Sequence, residues 1–304
     1  VERCKEEDAH QSSWDRTERA LTRLSEYLSG HLLTEITRES ILKIRKLLEH
    51  RTYKGLDADG KETIPKPLSK GTINRDLCAL RSVLRKAAGE WKMLDGAAPK
   101  VPMFKIGKRD AKFVTYDQAE QLLNKLPPHS ADMARMALAT GMRRTNVTHM
   151  EWSRVDKRRR TYYVPSSDAK GKKRGINVPL NAQAMEVIKR WEGKHSTYVF
   201  CFRKRAPITQ VSTRAWRAAA RKVGLVGVTF HTMRHSWASW HVQNGTPLRH
   251  LQDLGGWASL EMPQRYSHLD PGHLARYADN SLMPAPRAES DTVENGEVKT
   301  QLSA

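Results

Sequence analysis

Apolar residues recur at helical spacing over most of this chain. Leu21, Leu24 and Leu28 share one side of a segment that Ser13 can cap and Gly30 closes. Thr37 can cap a second segment, which turns Ile41, Ile44 and Leu48 inward. A polar loop, "RTYKGLDADGKETIPKPLSK", leads into "GTINRDLCALRSVLRKAAG", where Ile73, Leu77, Leu80, Leu84 and Ala87 form one stripe. Gly, Pro and Lys then break the period in "DGAAPKVPMFKIGKRDAK". Thr115 and Gln118 make a capping box for the next helix, and another runs from near Ser130 to Gly141. Two β-prone runs around a cationic Gly turn predict an antiparallel hairpin over 161–180. Helices resume at 182–192, 210–223 and 230–243, and Thr246-Pro247 and Asp270-Pro271 each open one more. The expected fold is mainly α: a helical domain over 1–95, a basic linker over 96–112, an α-rich domain carrying the hairpin over 113–283, and a disordered polar tail over 284–304. The chain opens on Val1 rather than Met, which leaves a segment ahead of it open.

Charge narrows the function. Lys and Arg number 53 against 33 Asp and Glu, a formal net charge of +20. A surface this basic suits a polyanion, and nucleic acid rewards many dispersed cations through counterion release. The three cysteines, Cys4, Cys78 and Cys201, are far apart and fit neither a disulfide framework nor a CxxC zinc pattern. A reducing, intracellular setting follows. No apolar run approaches the roughly 20 residues that span a bilayer, so no membrane role is expected.

The candidate chemistry centres on "HTMRHSW", residues 231–237. Wound as a helix, it sets His231, Arg234 and His235 on one face, expected to look outward into a cleft, and Met233, Trp237 and Trp240 on the other, in the core. A zinc site is disfavoured, because Thr232 stands where a metalloprotease helix carries Glu and Arg234 would repel a cation. A histidine pair satisfied within the structure stays open beside an anion site, in which the guanidinium fork matches phosphate oxygens. Arg143 follows a helix end in "ATGMRRTN", Lys170, Lys172, Lys173 and Arg174 sit at the hairpin turn, and Trp257 and Tyr266 follow in "LGGWASLEMPQRYSHL". Taken singly each motif is weak, and Tyr266 alone reads as an exposed tyrosine near a helix end.

In this order the motifs resemble those of the tyrosine recombinases, the phage-integrase family. "TGMR" is similar to its first arginine box, "HTMRH" to its His-x-x-Arg-His box, and "LGGW" followed by "RYSHL" to its last box. The likeness covers 115–280 most strongly, and "GTINRDLCALRSVLRKAAGEWKM" resembles the end of the helical core-binding domain. The resemblance implies a catalytic set of Arg143, Lys170, His231, Arg234, Trp257 and the nucleophile Tyr266. Two departures stand out. Asn146 replaces a frequent Glu, and Trp257 replaces a frequent His, so its indole can donate and position but cannot shuttle a proton.

The implied chemistry is cleavage of a DNA phosphodiester by Tyr266, with Arg143 and Arg234 on the phosphate oxygens, His231 as base and Lys170 as acid to the leaving 5′-oxygen. The product is a 3′-phosphotyrosine, rejoined without ATP. No metal and no cofactor is expected. Arg75, Arg81, Arg85, Lys86, Lys105, Lys108, Arg109, Lys172, Lys173 and Arg174 are candidate DNA contacts, with a merely solvated basic face as the alternative. The family implies duplex DNA with attachment-type sites, a homotetramer on it, an accessory bending or directionality factor, and work in a bacterial cytoplasm at the nucleoid. "DPGHLARYADN" is expected to dock into a neighbouring protomer. Two other readings stay open: a type IB topoisomerase and a non-catalytic DNA-binding regulator.

Overall fold

A computed structural model describes residues 2, 6–7, 14–55, 62–107, 111–168, 175–202 and 206–269. In chain order these form α1 (Trp14–Leu28), α2 (Arg38–His50), β1 (Thr52–Tyr53), β2 (Lys66–Pro67), α3 (Lys70–Gly89), α4 (Tyr116–Lys125), α5 (Pro128–Thr140), α6 (Arg144–Thr148), β3 (Val155–Asp156), β4 (Thr161–Val164), β5 (Ile176–Pro179), α7 (Ala182–Trp191), α8 (Thr213–Lys222), α9 (Phe230–Gln243), α10 (Leu248–Gly255) and α11 (Glu261–Gln264). They group into two compact units, Val1–Asp110 with Ser212–Gly227, and Ala111–Val211 with Val228–Ala304. Residues 212–227 thus group with the first unit, although they fall within the stretch expected as the second domain. Among the described residues, no helix is long and apolar enough to cross a membrane.

The first unit is built on α1, α2 and α3. Thr37 caps α2 by accepting from the Ser40 amide, and Ser69 caps α3 in the same way from Thr72, so orphan N–H groups are satisfied where the sequence places Ser and Thr. Leu24, Ile41, Ile44, Leu48, Ile73, Leu77, Leu80 and Leu84 close one core between the three helices. Asp76, 1% exposed, crosses it to take both Nε and Nη2 of Arg23, at 2.9 and 2.5 Å. The polar loop between α2 and α3 contains an antiparallel ribbon, β1 with β2, pairing Thr52 with Pro67. Part of the expected linker belongs to this core as well. Val101 is buried in it, and Asn74 holds Phe104 by both backbone groups at 2.9 Å.

The second unit surrounds α5, whose residues from Ser130 to Thr140 are nearly all buried. It packs on α4, α7 and α9. Pro128 opens α5 at a position where no intrahelical N–H is needed. The expected hairpin is present as β4 and β5, with Tyr162 opposite Val178, and β3 adds a third antiparallel strand. The start of the unit is tied to α9: the Val114 amide donates to Ser236 Oγ at 2.9 Å, and Trp240 Nε1 donates to the Val114 carbonyl at 3.0 Å. The helices opened by Thr246-Pro247 and Asp270-Pro271 fare differently. The first, α10, begins one residue late, with Pro247 at the cap position. The second lies outside the described residues, as does the tail.

Candidate active site

The site begins at the C-terminus of α5. Gly141 turns the chain there with φ 66°, in the region only glycine enters freely. A side chain would also run into the Trp237 ring of α9. The turn leaves Arg143 as the residue that precedes α6, half-buried.

Arg234 does not look outward as its helical position suggests. It is 5% exposed, because α9 is packed nearly all round. Its Nη1 donates to the Gly141 carbonyl, and its Nη2 donates to the Gly255 carbonyl at 2.5 Å. Both acceptors stand at helix C-termini, of α5 and α10, where carbonyls lack intrahelical partners and the dipole is negative. A buried cation is a fitting cap for two such ends. The guanidinium carbon also lies 4.6 Å from the centre of the Trp257 ring. Trp257 in turn packs over Gly255, where any side chain would overlap the indole. Five N–H groups on a guanidinium, two of them given to carbonyls, leave three.

Tyr266 lies in the same wall, 2% exposed, among Trp237, Ala238, Val242, Leu251 and Trp257. Its hydroxyl meets Nδ1 of His235 at 2.5 Å. One turn back along α9, His231 packs its ring edge-on to His235 with centroids 4.7 Å apart, and keeps an exposed surface.

The electrostatics are those of a cationic site short of anions. Burial pushes the Arg143 guanidinium down. Burial and then the charge of Arg143 push Arg234 down to about 9, so it still carries its proton at neutral pH. Among the described residues, no carboxylate offsets either group. Partial burial, then Arg234, Arg143 and Arg144, push His231 below its ordinary range. His235 is pushed down to about 4 by burial, with His231, Arg265 and Arg234 adding to it. Burial raises the Tyr266 phenol against the opposing pull of Arg234 and Arg265. Arg143, His231, Arg234, Trp257 and Tyr266 are therefore brought into one site.

The sequence profile of the phage integrase family matches residues 112–273. The integrase of Salmonella phage P22 is 32% identical over 299 residues, covering 90% of this chain and 76% of that one. The chain belongs to the phage integrase family. The tyrosine recombinase XerC of Alcanivorax borkumensis is 26% identical over 286 residues, 87% of this chain and 92% of that one. The Tn1549 transposon integrase, solved in complex with transposon right-end DNA, shares the fold with a TM-score of 0.67 at 16% identity, over 92% of this chain and 96% of that one.

Lys170, Lys172, Lys173 and Arg174, expected at the hairpin turn, lie outside the described residues, as do Lys108 and Arg109. The base of the hairpin is described, and Ile176 of β5 comes within 2.6 Å of where a Gly256 side chain would begin. That strand end therefore abuts the turn carrying Trp257. Asn146 of α6, in the place of the frequent Glu, is buried. In the first unit Arg75, Arg81, Arg85 and Lys105 are exposed. Arg75 folds back on the Gly71 carbonyl at 3.1 Å, and Lys86 pairs with Glu7 at 3.1 Å. His235 stands outside the catalytic set that the sequence implies: its spacing from His231 is visible there, but its contact to residue 266 is set by the fold.

Proposed function

We propose that this chain is a site-specific DNA recombinase, an integrase of a phage or prophage, that cuts and rejoins strands through a covalent 3′-phosphotyrosine. The family supports the class of reaction. One observation carries the residue roles: Arg143 and Arg234 share a largely buried place with no carboxylate among the described residues to offset them, and a phenol stands beside them. Such a place suits an anion brought by a ligand. A scissile phosphate fits it, with the guanidiniums on its non-bridging oxygens as charge develops in the transition state.

In this reading Tyr266 attacks phosphorus and the P–O5′ bond breaks. His231, which burial and neighbouring cations keep neutral at pH 7, takes the phenol proton. Lys170 protonates the departing 5′-oxygen. Trp257 supports the Arg234 plane and takes no proton. The reverse reaction, with a new 5′-hydroxyl as nucleophile, reseals the strand. The partner is duplex DNA with attachment-type sites, and relatives named as integrases and one solved on DNA support that choice. Four protomers assemble on two sites, "DPGHLARYADN" docks on a neighbour, and an accessory factor sets direction at the bacterial nucleoid. The stretch over 1–95 serves as the core-binding domain and 113–283 as the catalytic one.

The test is a nicked substrate carrying the DNA that flanks the encoding gene, incubated in EDTA-containing buffer and then boiled in detergent. A protein band shifted by attached DNA is expected from the native chain. Tyr266→Phe should lose it, by at least about a thousandfold in rate, while still binding DNA. No adduct from the native chain sinks the reading. Relaxation of supercoils without exchange between two sites would reassign it to the topoisomerases.

A further inference from the structure

Tyr266 carries its hydroxyl inside the wall of the site, where it is hydrogen-bonded to His235. We propose that His235 is a latch on the nucleophile: in the DNA-free protein it holds the Tyr266 hydroxyl protonated and sheathed, and strand cleavage requires that hydrogen bond to break. The inference rests on Tyr266 being the nucleophile, and it assigns His235 a role as a positioning residue distinct from that of His231.

The latch requires one direction of this bond: the imidazole tautomer with its proton on Nε2, so that Tyr266 donates and His235 Nδ1 accepts; the other tautomer would donate to the phenol oxygen instead. The proton does not cross. Burial raises the phenol, while burial first, and then the neighbouring His231, Arg265 and Arg234, hold the imidazole down to about 4. His235 is therefore a poor base where it stands, and the contact stabilises the phenol that cannot attack rather than the phenolate that can. Access points the same way. Tyr266 is 2% exposed and its side chain belongs to the cluster of Trp237, Leu251 and Trp257, so in this arrangement a phosphorus does not reach its hydroxyl. The open end of the same face is occupied by His231, one turn of about 5.4 Å nearer the start of α9. Emergence of the hydroxyl thus trades one imidazole for another: it leaves a half-buried, cation-crowded acceptor and reaches an exposed one beside the guanidiniums.

The experiment compares the full chain with His235→Ala, His235→Asn and His235→Gln. Two readouts are used: nitration of Tyr266 by tetranitromethane without DNA, followed by peptide mass spectrometry, and single-turnover adduct formation on the nicked substrate. Alanine leaves the buried phenol without an acceptor, so nitration of Tyr266 and the adduct rate should each rise about tenfold. Asparagine sets an amide oxygen near the place of Nδ1 and should restore protection. Glutamine reaches too far and should behave as alanine, which keeps the test available if the alanine protein does not fold. Unchanged nitration in both alanine and glutamine variants overturns the latch. So does faster nitration with no gain in adduct rate, or an adduct rate that falls in these variants with a displaced pH profile, the mark of a base. Absence of adduct from the native protein is a failure of the nucleophile assignment, and the nitration comparison still decides whether His235 shelters the hydroxyl.

Discussion

Single residues decide how this site is held. Gly255 has to be glycine because the Trp257 ring lies where its side chain would start, and that ring backs the Arg234 guanidinium. Gly255→Ala should destabilise the second unit by about 1–3 kcal/mol, read from urea denaturation, as the indole or the turn is forced aside. The residue types of the site were legible from the chain alone, since gripping and attacking a phosphate calls for guanidinium, imidazole and phenol. What stayed hidden was direction. A helical wheel of "HTMRHSWASW" puts Arg234 with the two histidines, and only the folded arrangement brings two foreign helix ends to its fork. His235 was hidden for the same reason, because its partner lies 31 positions away.

At the scale of elements, α2, α3 and α4 follow their apolar period and their Ser and Thr caps. The short ones do not. Two-residue strands such as β1 and β2 show no alternation to read, and α6 and α11, of five and four residues, are too brief for a period. The polar residue that fastens α3 to α1 was equally invisible. Asp76 sits within an apolar stripe, and its bidentate partner Arg23 lies 53 positions earlier. Asp76→Ala leaves that guanidinium, which is still about a third exposed, without its acceptor. A loss of about 2–3 kcal/mol in the first unit is expected by chemical denaturation, less than for a fully enclosed pair because water reaches Arg23.

For the whole molecule, a formal charge of +20 was the earliest sign of function and needs no fold to interpret. Binding to duplex DNA should weaken on the order of a thousandfold between about 50 and 200 mM salt, measured by anisotropy titration on one labelled duplex. A flat response would mean that the excess charge lies away from the bound strand. Buried Arg234 and half-buried Arg143, with no acidic neighbour among the described residues, carry a further consequence. Arg234 is seated by carbonyls during folding, so its orientation is settled before any ligand arrives and little motion remains to be frozen on encounter. On the proposed function the same charge awaits a phosphodiester: a phosphate held by both guanidiniums would offset it, so DNA binding should raise the stability of the folded chain, read as an upward shift of the thermal midpoint.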